Sequence, residues 1–293
     1  MSPKITTSGP TNNPYDWLYI YYLEGCLKKG STPSGDEFIG NWEEDGQSFL
    51  FFSRPSPQKI TDLLKNQPQL KFQDEYRMSY DEWHGGPVQP LRIGDVQVSP
   101  PWATSSYQST DVINKPADGR GGVVDILLDP GVVFGNGTHP TTHHCIEALE
   151  ILFSTDQPDT VLDLGTGTGL LAVVAAKLGC RRTLAVDLNL LAVQTAKKNI
   201  GLNGLDDRVL AVQGNAENFV DLSSDLVISN IHYDVMKELI GNKGFLRKKY
   251  FILSGLLRSQ AVQIENSLDQ YSVTVIKKWV HEGVWYSYLG KAA

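Results

Sequence analysis

Apolar runs and helical stripes alternate over the second half of the chain. Strands are predicted near residues 160–164, 183–187, 209–213, 225–231, 249–254, 271–278 and 284–289, and helices near 169–178, 190–203, 233–240 and 257–268. This alternation predicts an α/β fold with a doubly wound, mostly parallel seven-stranded sheet that has helices on both faces. Because only His281-Glu-Gly283 separates the last two strands, we expect an antiparallel C-terminal hairpin at one edge.

The first part of the chain has a different pattern, which divides the protein into segments. An Asp-Gly turn separates the apolar runs Phe38–Trp42 and Gln47–Phe52, and a helix with proline at its start is predicted over Pro57–Asn66. We predict four segments: a disordered leader over residues 1–14, a small α+β domain over 15–78, a Trp/Pro-rich connector over 79–120 and the α/β domain over 121–293. The tryptophans predict that the connector packs against the protein.

Composition and charge narrow the class of protein. The chain has 293 residues, of which 41% are apolar and 20% charged, as in globular proteins. No apolar run approaches the roughly 20 residues that cross a bilayer, and no signal-peptide core is present. We therefore predict a cytoplasmic protein with no membrane contact. The net charge of −7 argues against a nucleic-acid surface and permits a basic partner. The three cysteines lack metal-ligand spacing, so no metal is expected.

Three alternate glycines, Gly165, Gly167 and Gly169, separate the strand Val161–Leu164 from an apolar helix. Glycines permit backbone torsions that other residues resist and let a ligand approach the main chain. The spacing Gly-x-Gly-x-Gly differs from the Gly-x-Gly-x-x-Gly of dinucleotide-binding loops. An acidic residue, Asp187, ends the next strand, about 20 residues further on, which is where such folds place a ribose-binding carboxylate.

Further polar residues follow two other strands of the predicted sheet. Asn230 ends one strand, and Asn215 with Ala216 follows another, where an adenine edge could be met. Ligands of open α/β sheets bind beyond the carboxyl ends of the strands, so we expect these residues and the glycines to form one site. Each also has a plainer interpretation: the glycines as a tight turn, Asp187 as the cap of the next helix, and Asn230 as a turn residue.

Together these motifs resemble the Rossmann-like fold of class I S-adenosylmethionine-dependent methyltransferases. In that family an Asp-x-Gly-x-Gly-x-Gly loop holds the methionine part of the cofactor, and the acid of the next strand binds the ribose hydroxyls. The corresponding residues are Asp163-Leu-Gly-Thr-Gly-Thr-Gly169 and Asp187. The changed glycine spacing agrees, because this cofactor has no pyrophosphate. The resemblance implies S-adenosyl-L-methionine bound by Asp163, Gly165, Gly167, Gly169, Asp187, Leu188, Asn215, Ala216 and Asn230.

A longer motif is similar to the signature of the PrmA-type methyltransferases, which modify a protein of the large ribosomal subunit. The string Phe134-Gly-Asn-Gly-Thr-His-Pro-Thr-Thr142 carries the resemblance, together with Asn230-Ile231, Ser254-Gly255-Leu256 and Pro100-Pro-Trp102. The match extends over residues 79–290. It implies that the cofactor and its methyl group are bordered by Phe134, Gly137, Thr138, His139 and Thr142.

The candidate catalytic residues on this resemblance are Asn230, His139, Thr138 and Tyr233. His139 is either a general base or a residue that orients its loop, and we favour the second role because methyl transfer needs positioning and a neutral amine. A lysine amine can lose its proton in a dry pocket, so no strong base is required. Tyr233 either packs as the start of the next helix or lies against the target nitrogen, as a similar aromatic does in other amino-group methyltransferases. The adjacent His143 and His144 do not share a helix face, which argues against a metal site.

The N-terminal region departs from the PrmA-type pattern. That family carries a ferredoxin-like domain of two helices and four strands that docks the ribosomal substrate, whereas one helix is predicted here. We predict an N-methyltransferase that acts on a protein amine (lysine or N-terminal α-amine), with a ribosomal protein as the candidate substrate and the small domain helping to select it. The alternatives are methylation of a small molecule and a non-catalytic adaptor that binds the cofactor. The sequence does not indicate the oligomeric state.

Overall fold

The computed structural model describes residues 13–28, 30–103 and 122–292, which fall into two compact units. Among these residues, one unit comprises 13–28, 30–89 and 100–103, and the other comprises 90–99 and 122–292. Residues 1–12 of the predicted leader and 104–120 of the predicted connector lie outside the described residues.

The smaller unit is built on a four-stranded antiparallel sheet. Its elements are β1 (Trp17–Glu24), β2 (Phe38–Glu44), β3 (Gln47–Phe52), α1 (Pro57–Asn66), β4 (Lys71–Ser79) and the one-turn helix α2 (Tyr80–Trp83). The strand order is β2-β3-β1-β4, which is the order of a ferredoxin-like sheet. The helix between β3 and β4 is present, whereas the described residues between β1 and β2 form no helix. The strand order of a ferredoxin-like sheet is therefore present, although the described residues of this unit form one helix longer than a single turn.

The core of the smaller unit lies between its sheet and α1. Proline at the first turn favours the start of this helix, and its apolar stripe brings Ile60 and Leu63 against buried Tyr21 and Phe52. The Tyr21 and Phe52 rings meet edge to face with centroids 5.5 Å apart. The tryptophan of α2, Trp83, packs on Phe51, as the composition of the connector predicted.

The larger unit alternates strands and helices as the sequence pattern predicts. Its elements are β5 (Leu91–Ile93), β6 (Val96–Ser99), β7 (Val124–Leu127), α3 (Pro140–Thr155), β8 (Thr160–Leu164), α4 (Leu170–Lys177), β9 (Arg182–Asp187), α5 (Leu190–Leu202), β10 (Val209–Gln213), β11 (Leu226–Asn230), α6 (Tyr233–Gly241), α7 (Lys243–Leu246), β12 (Tyr250–Leu257), α8 (Arg258–Leu268), β13 (Val273–His281) and β14 (Trp285–Ala292). The short strands β5 and β6, which form a second sheet with β7, were not predicted.

The seven-stranded sheet has the order β10-β9-β8-β11-β12-β14-β13. The pairs joining β10 through β12 are parallel, and β14 is antiparallel to both of its neighbours. The predicted fold class is confirmed, including the antiparallel C-terminal hairpin. Within this hairpin the second strand, β14, lies between β12 and β13, so the first strand, β13, is the edge strand of the sheet.

Apolar layers cover both faces of this sheet. The helix α4 is buried over residues 170–176, where it packs between the sheet and neighbouring helices. This position explains why its residues are apolar on all sides. A second layer contains Leu164, Val227 and Leu253 from central strands and packs against α6 and α8. None of the helices in the described residues combines the length and apolar character that a membrane span requires.

Candidate functional site

The parallel register brings three predicted site regions to one edge of the sheet. Leu164, the last residue of β8, pairs with Val186 of β9 and with Ser229 of β11. The next residues along these strands are the start of the glycine loop, Asp187 and Asn230. This edge is where open α/β sheets bind their ligands, and the register explains why residues distant in sequence meet there.

The glycine loop, residues 165–169, is held closely by the rest of the protein. The N–H groups of Gly165 and Thr166 donate to the Val186 carbonyl at 2.9 and 3.0 Å. Gly167 has a φ of +55°, and a side chain there would approach the Phe134 carbonyl to 2.8 Å. A side chain at Gly165 would likewise meet Ile231 at 2.8 Å. Packing within the protein therefore requires these glycines, whatever ligand the loop holds.

Asp187 is bonded to the glycine loop through one carboxylate oxygen and to the residue before α5 through the other. Its Oδ2 accepts the N–H of Gly167 and its Oδ1 accepts the N–H of Asn189, both at 2.9 Å. The cap of α5 is Asn189, whose side chain accepts the N–H of Leu191. Burial raises the pKa of Asp187, and its backbone hydrogen bonds offset part of that effect. The plainer interpretation of Asp187 as the helix cap is thus replaced by a role in fixing the loop.

Asp163 lies beneath the same loop. Its side chain is buried, and its Oδ2 accepts a hydrogen bond from the Thr166 hydroxyl at 2.6 Å. Burial raises the pKa of Asp163 to about 7, with a smaller contribution from the charge of Asp187. The geometry makes Asp163 a support for the loop conformation.

A buried residue that the sequence analysis missed joins the glycine loop to the segment before Phe134. Asn199 on α5 is fully buried. Its Nδ2 donates to the carbonyls of Thr168 and Asp129 at 2.8 and 3.0 Å, and its Oδ1 accepts the N–H of Asp129 at 2.9 Å. An amide among the apolar positions of the α5 stripe is the signal that could have identified it, because buried polar groups need partners.

The segment leading to α3 lies directly over the glycine loop. The Thr168 hydroxyl donates to the Gly135 carbonyl at 2.7 Å, and Phe134 is 78% exposed beside this contact. A side chain at Gly137 would come within 3.1 Å of Leu91 on β5. Thr138 is exposed, and its hydroxyl and N–H both bond to Asn136. The segment thus has a defined conformation with an exposed phenylalanine at its tip.

His139 is the N-cap of α3. Its Nδ1 lies 2.7 Å from the Thr141 hydroxyl and accepts the N–H of Thr141, while its ring meets Trp285 edge to face at 4.7 Å. Burial lowers the pKa of His139, and the charges of His281 and His143 lower it further. The geometry agrees with the favoured role of orienting the loop. The predicted cofactor contact Thr142 is buried in the first turn of α3.

Two predicted residues lie toward the other side of the glycine loop. Asn230 ends β11, and its Oδ1 occupies space that a side chain at Gly255 would enter at 2.9 Å. Tyr233 is the first residue of α6, packs on the apolar layer of that face and donates its hydroxyl to Gln263 of α8. Tyr233 therefore packs at the start of α6, and its role beside a target nitrogen stays a prediction.

The predicted adenine-edge residues adjoin Asp187. The N–H of Gly214 donates to the Asp187 carbonyl, so the chain after β10 returns to the end of β9. Asn215 accepts the N–H of Glu217, and Ala216 is buried. Leu188 is 70% exposed next to this turn. Direct contact of any of these residues with a cofactor stays a prediction.

Comparisons with known proteins agree with the geometry of this edge. The profile of the ribosomal protein L11 methyltransferase (PrmA) family matches residues 59–293. A ribosomal protein L11 methyltransferase of Alkaliphilus oremlandii is 33% identical over 277 residues, covering 90% of this chain and 81% of that protein. One from Desulforamulus reducens is 37% identical over 203 residues, covering 68% of this chain and 61% of that protein.

A comparison with solved structures also finds a protein of this kind. The ribosomal protein L11 methylase of Lactobacillus delbrueckii subsp. bulgaricus is 26% identical, with a TM-score of 0.53, covering 70% of this chain and all of that one. Several relatives are matched over little more than half their length, 53% for the protein of Bacillus pumilus. The chain belongs to the ribosomal protein L11 methyltransferase family.

Proposed function

We propose that this protein is an S-adenosylmethionine-dependent N-methyltransferase that modifies an amine, lysine or N-terminal, of ribosomal protein L11 in the cytoplasm. The observation that carries the proposal is the meeting of the glycine loop, Asp187, Asn230 and the segment of Phe134 at one sheet edge in a member of this family. The names of the relatives support L11 as the substrate.

The residues at this edge fit S-adenosylmethionine. The carboxylate of Asp187 accepts backbone N–H groups, including those of Gly167 and Asn189, and a carboxylate has about four lone-pair sites, so acceptor capacity would remain for a ribose hydroxyl. The exposed side chains of Leu188 and Phe134 supply apolar surface that the adenine and the methionine chain would cover. We assign the remaining predicted contacts to Asp163, Gly165, Gly167, Gly169, Gly137, Thr142, Asn215, Ala216 and Asn230. The bound cofactor supplies an electrophilic methyl group on a sulfonium.

The acceptor amine has to be positioned and uncharged. In our proposal the Asn230 amide accepts a hydrogen bond from the amine, and Tyr233 and Thr138 border the path of the incoming side chain. The lowered pKa of His139 favours its neutral form, and its Nδ1 is engaged by Thr141. Its proposed part is therefore to hold the loop, since in-line displacement depends chiefly on alignment and on a neutral nucleophile.

The smaller unit is proposed to select the protein substrate. Its sheet presents Trp17, which is 41% exposed, with the Arg77 guanidinium 4.0 Å from the ring centroid. Aromatic and arginine side chains are enriched at protein interfaces. Substitution of both by alanine should raise the KM for a protein substrate without changing cofactor affinity.

The test is incubation with methyl-labelled S-adenosylmethionine and a lysate depleted of the endogenous enzyme. Label on a protein band of the size of L11 supports the proposal. Label on a small product would instead indicate a small-molecule methyltransferase. Absence of label despite measurable cofactor binding would indicate a non-catalytic adaptor.

A further inference from the structure

A chain of buried hydrogen bonds connects three elements behind the first turn of α3. Nδ1 of His144 lies 2.9 Å from the hydroxyl of Ser287 on β14. That hydroxyl lies 2.7 Å from the hydroxyl of Ser254 on β12, which donates to the Thr141 carbonyl at 3.0 Å. Ser254 and Ser287 are almost fully buried, and His144 is 8% exposed.

The direction of every bond in this chain follows from its last member. A carbonyl can only accept, so the single proton of Ser254 is directed to Thr141. The bond between the two serines therefore needs the proton of Ser287, and the remaining bond needs a proton on Nδ1 of His144. The thiol of Cys145 also contacts the Ser254 hydroxyl, but burial raises its pKa to about 12 and keeps it protonated, and a thiol sulfur is a weaker acceptor than the Thr141 carbonyl.

The chain ends on the residue that also holds His139. The carbonyl of Thr141 accepts from Ser254, while its hydroxyl and N–H are bonded to the His139 ring. The first turn of α3 is thus fixed from both sides. Thr142, the next residue, is in the same turn.

We propose that His144 is a positioning residue: it is held as the Nδ1–H tautomer and, through Ser287 and Ser254, fixes the turn that presents His139 and Thr142. The expected effect on cofactor binding rests on the proposed function, because it assumes that the turn holding His139 and Thr142 borders the cofactor. The hydrogen-bond direction itself is independent of what the protein catalyses.

The tautomer is measured directly by nuclear magnetic resonance on the full chain with ¹⁵N-labelled histidine. We expect His144, assigned by its loss in His144→Asn, to show a protonated Nδ1 at neutral pH. An unprotonated Nδ1 would overturn the proposal, because the chain would then lack a donor. This readout stands even when no cofactor binds.

Two isosteric variants separate positioning from packing. The amide of His144→Asn supplies an N–H near the place of Nδ1, whereas His144→Gln supplies one near Nε2. We expect His144→Gln and Ser287→Ala to weaken binding of S-adenosylhomocysteine, measured by calorimetry, by about tenfold, as the loss of one buried hydrogen bond would. His144→Asn should remain within about twofold of the wild type.

Equal loss in His144→Asn and His144→Gln, or no loss in Ser287→Ala, would contradict the proposal. The nearby His281→Gln serves as control: its ring is 6.4 Å from that of His144 and it is outside the chain of bonds. Circular dichroism establishes that each variant is folded. Failure of the wild type itself to bind the probe would refute the proposed function, while the tautomer measurement still decides on the hydrogen-bond chain.

Discussion

The two halves of the candidate site are built in different ways. In the cofactor half, defined as Asp163, the glycine loop and Asp187, side chains bond to the backbone of the loop or to a loop side chain. In the acceptor half, defined as His139, Asn230 and Tyr233, side chains also rest on side chains from distant elements, such as Trp285 and Gln263. A geometry held through the backbone tolerates changes elsewhere in the sequence, whereas side-chain contacts change with each partner. We therefore expect substitutions in the acceptor half to alter methyl transfer without altering cofactor binding.

The largest expected effect is in the cofactor half. Asp187→Ala removes both the proposed ribose contact and the acceptor for the Gly167 N–H. We expect affinity for S-adenosylmethionine to fall by about 100-fold, as loss of two charge-assisted hydrogen bonds would. Calorimetry measures this, with the exposed Asp221→Ala as matched control. Unchanged affinity would refute our assignment of the cofactor half.

We expect the buried Asn199 to stabilise the glycine loop of the cofactor half. Asn199→Ala leaves the carbonyls of Thr168 and Asp129 without their buried donor. We expect the free energy of unfolding, measured by urea titration, to fall by about 3 kcal/mol. The surface substitution Asn266→Ala should change it by less than about 0.5 kcal/mol. Equal effects of the two substitutions would show that Asn199 is not a support.

Asp163 makes the stability of the cofactor half depend on pH. An unfolded aspartate titrates near pH 4, whereas Asp163 in the folded protein has a pKa of about 7. The folded state therefore keeps a proton that the unfolded state has lost, and stability declines as pH rises through this window. We expect Asp163→Asn to remove this decline, so that its stability relative to the wild type rises between pH 5 and 8 by on the order of 2 kcal/mol. A constant difference across that range would contradict the assignment.

The smallest effect is expected in the acceptor half. Tyr233→Phe removes the hydrogen bond to Gln263 but keeps the ring packed on its apolar layer. We expect kcat to change by less than about threefold and cofactor affinity not to change, because an exposed hydrogen bond contributes little. Tyr233→Ala should lower kcat more. If Tyr233→Phe lowered the affinity for the cofactor, our assignment of Tyr233 to the acceptor half alone would be wrong.

The sequence predicted what local patterns encode. The alternation of apolar strands and helices indicated the seven-stranded sheet, and the glycine spacing followed by Asp187 indicated the edge at which we place the candidate site. The strands β5 and β6 were missed because runs of three or four residues carry too little periodicity. The amide of Asn199 within an apolar stripe marked it as a buried polar group, but its partners, like the bond between His144 and Ser287, join residues distant in the chain, which one sequence does not reveal.

The measurement that tests the central claim most directly is mass spectrometry of purified L11 incubated with this protein and S-adenosylmethionine. We predict methyl groups on lysine or N-terminal amines of L11, absent when Asp187→Ala replaces the wild type. Unmodified L11 in the presence of a wild-type protein that binds the cofactor would contradict the proposed substrate and, with it, our account of the acceptor half.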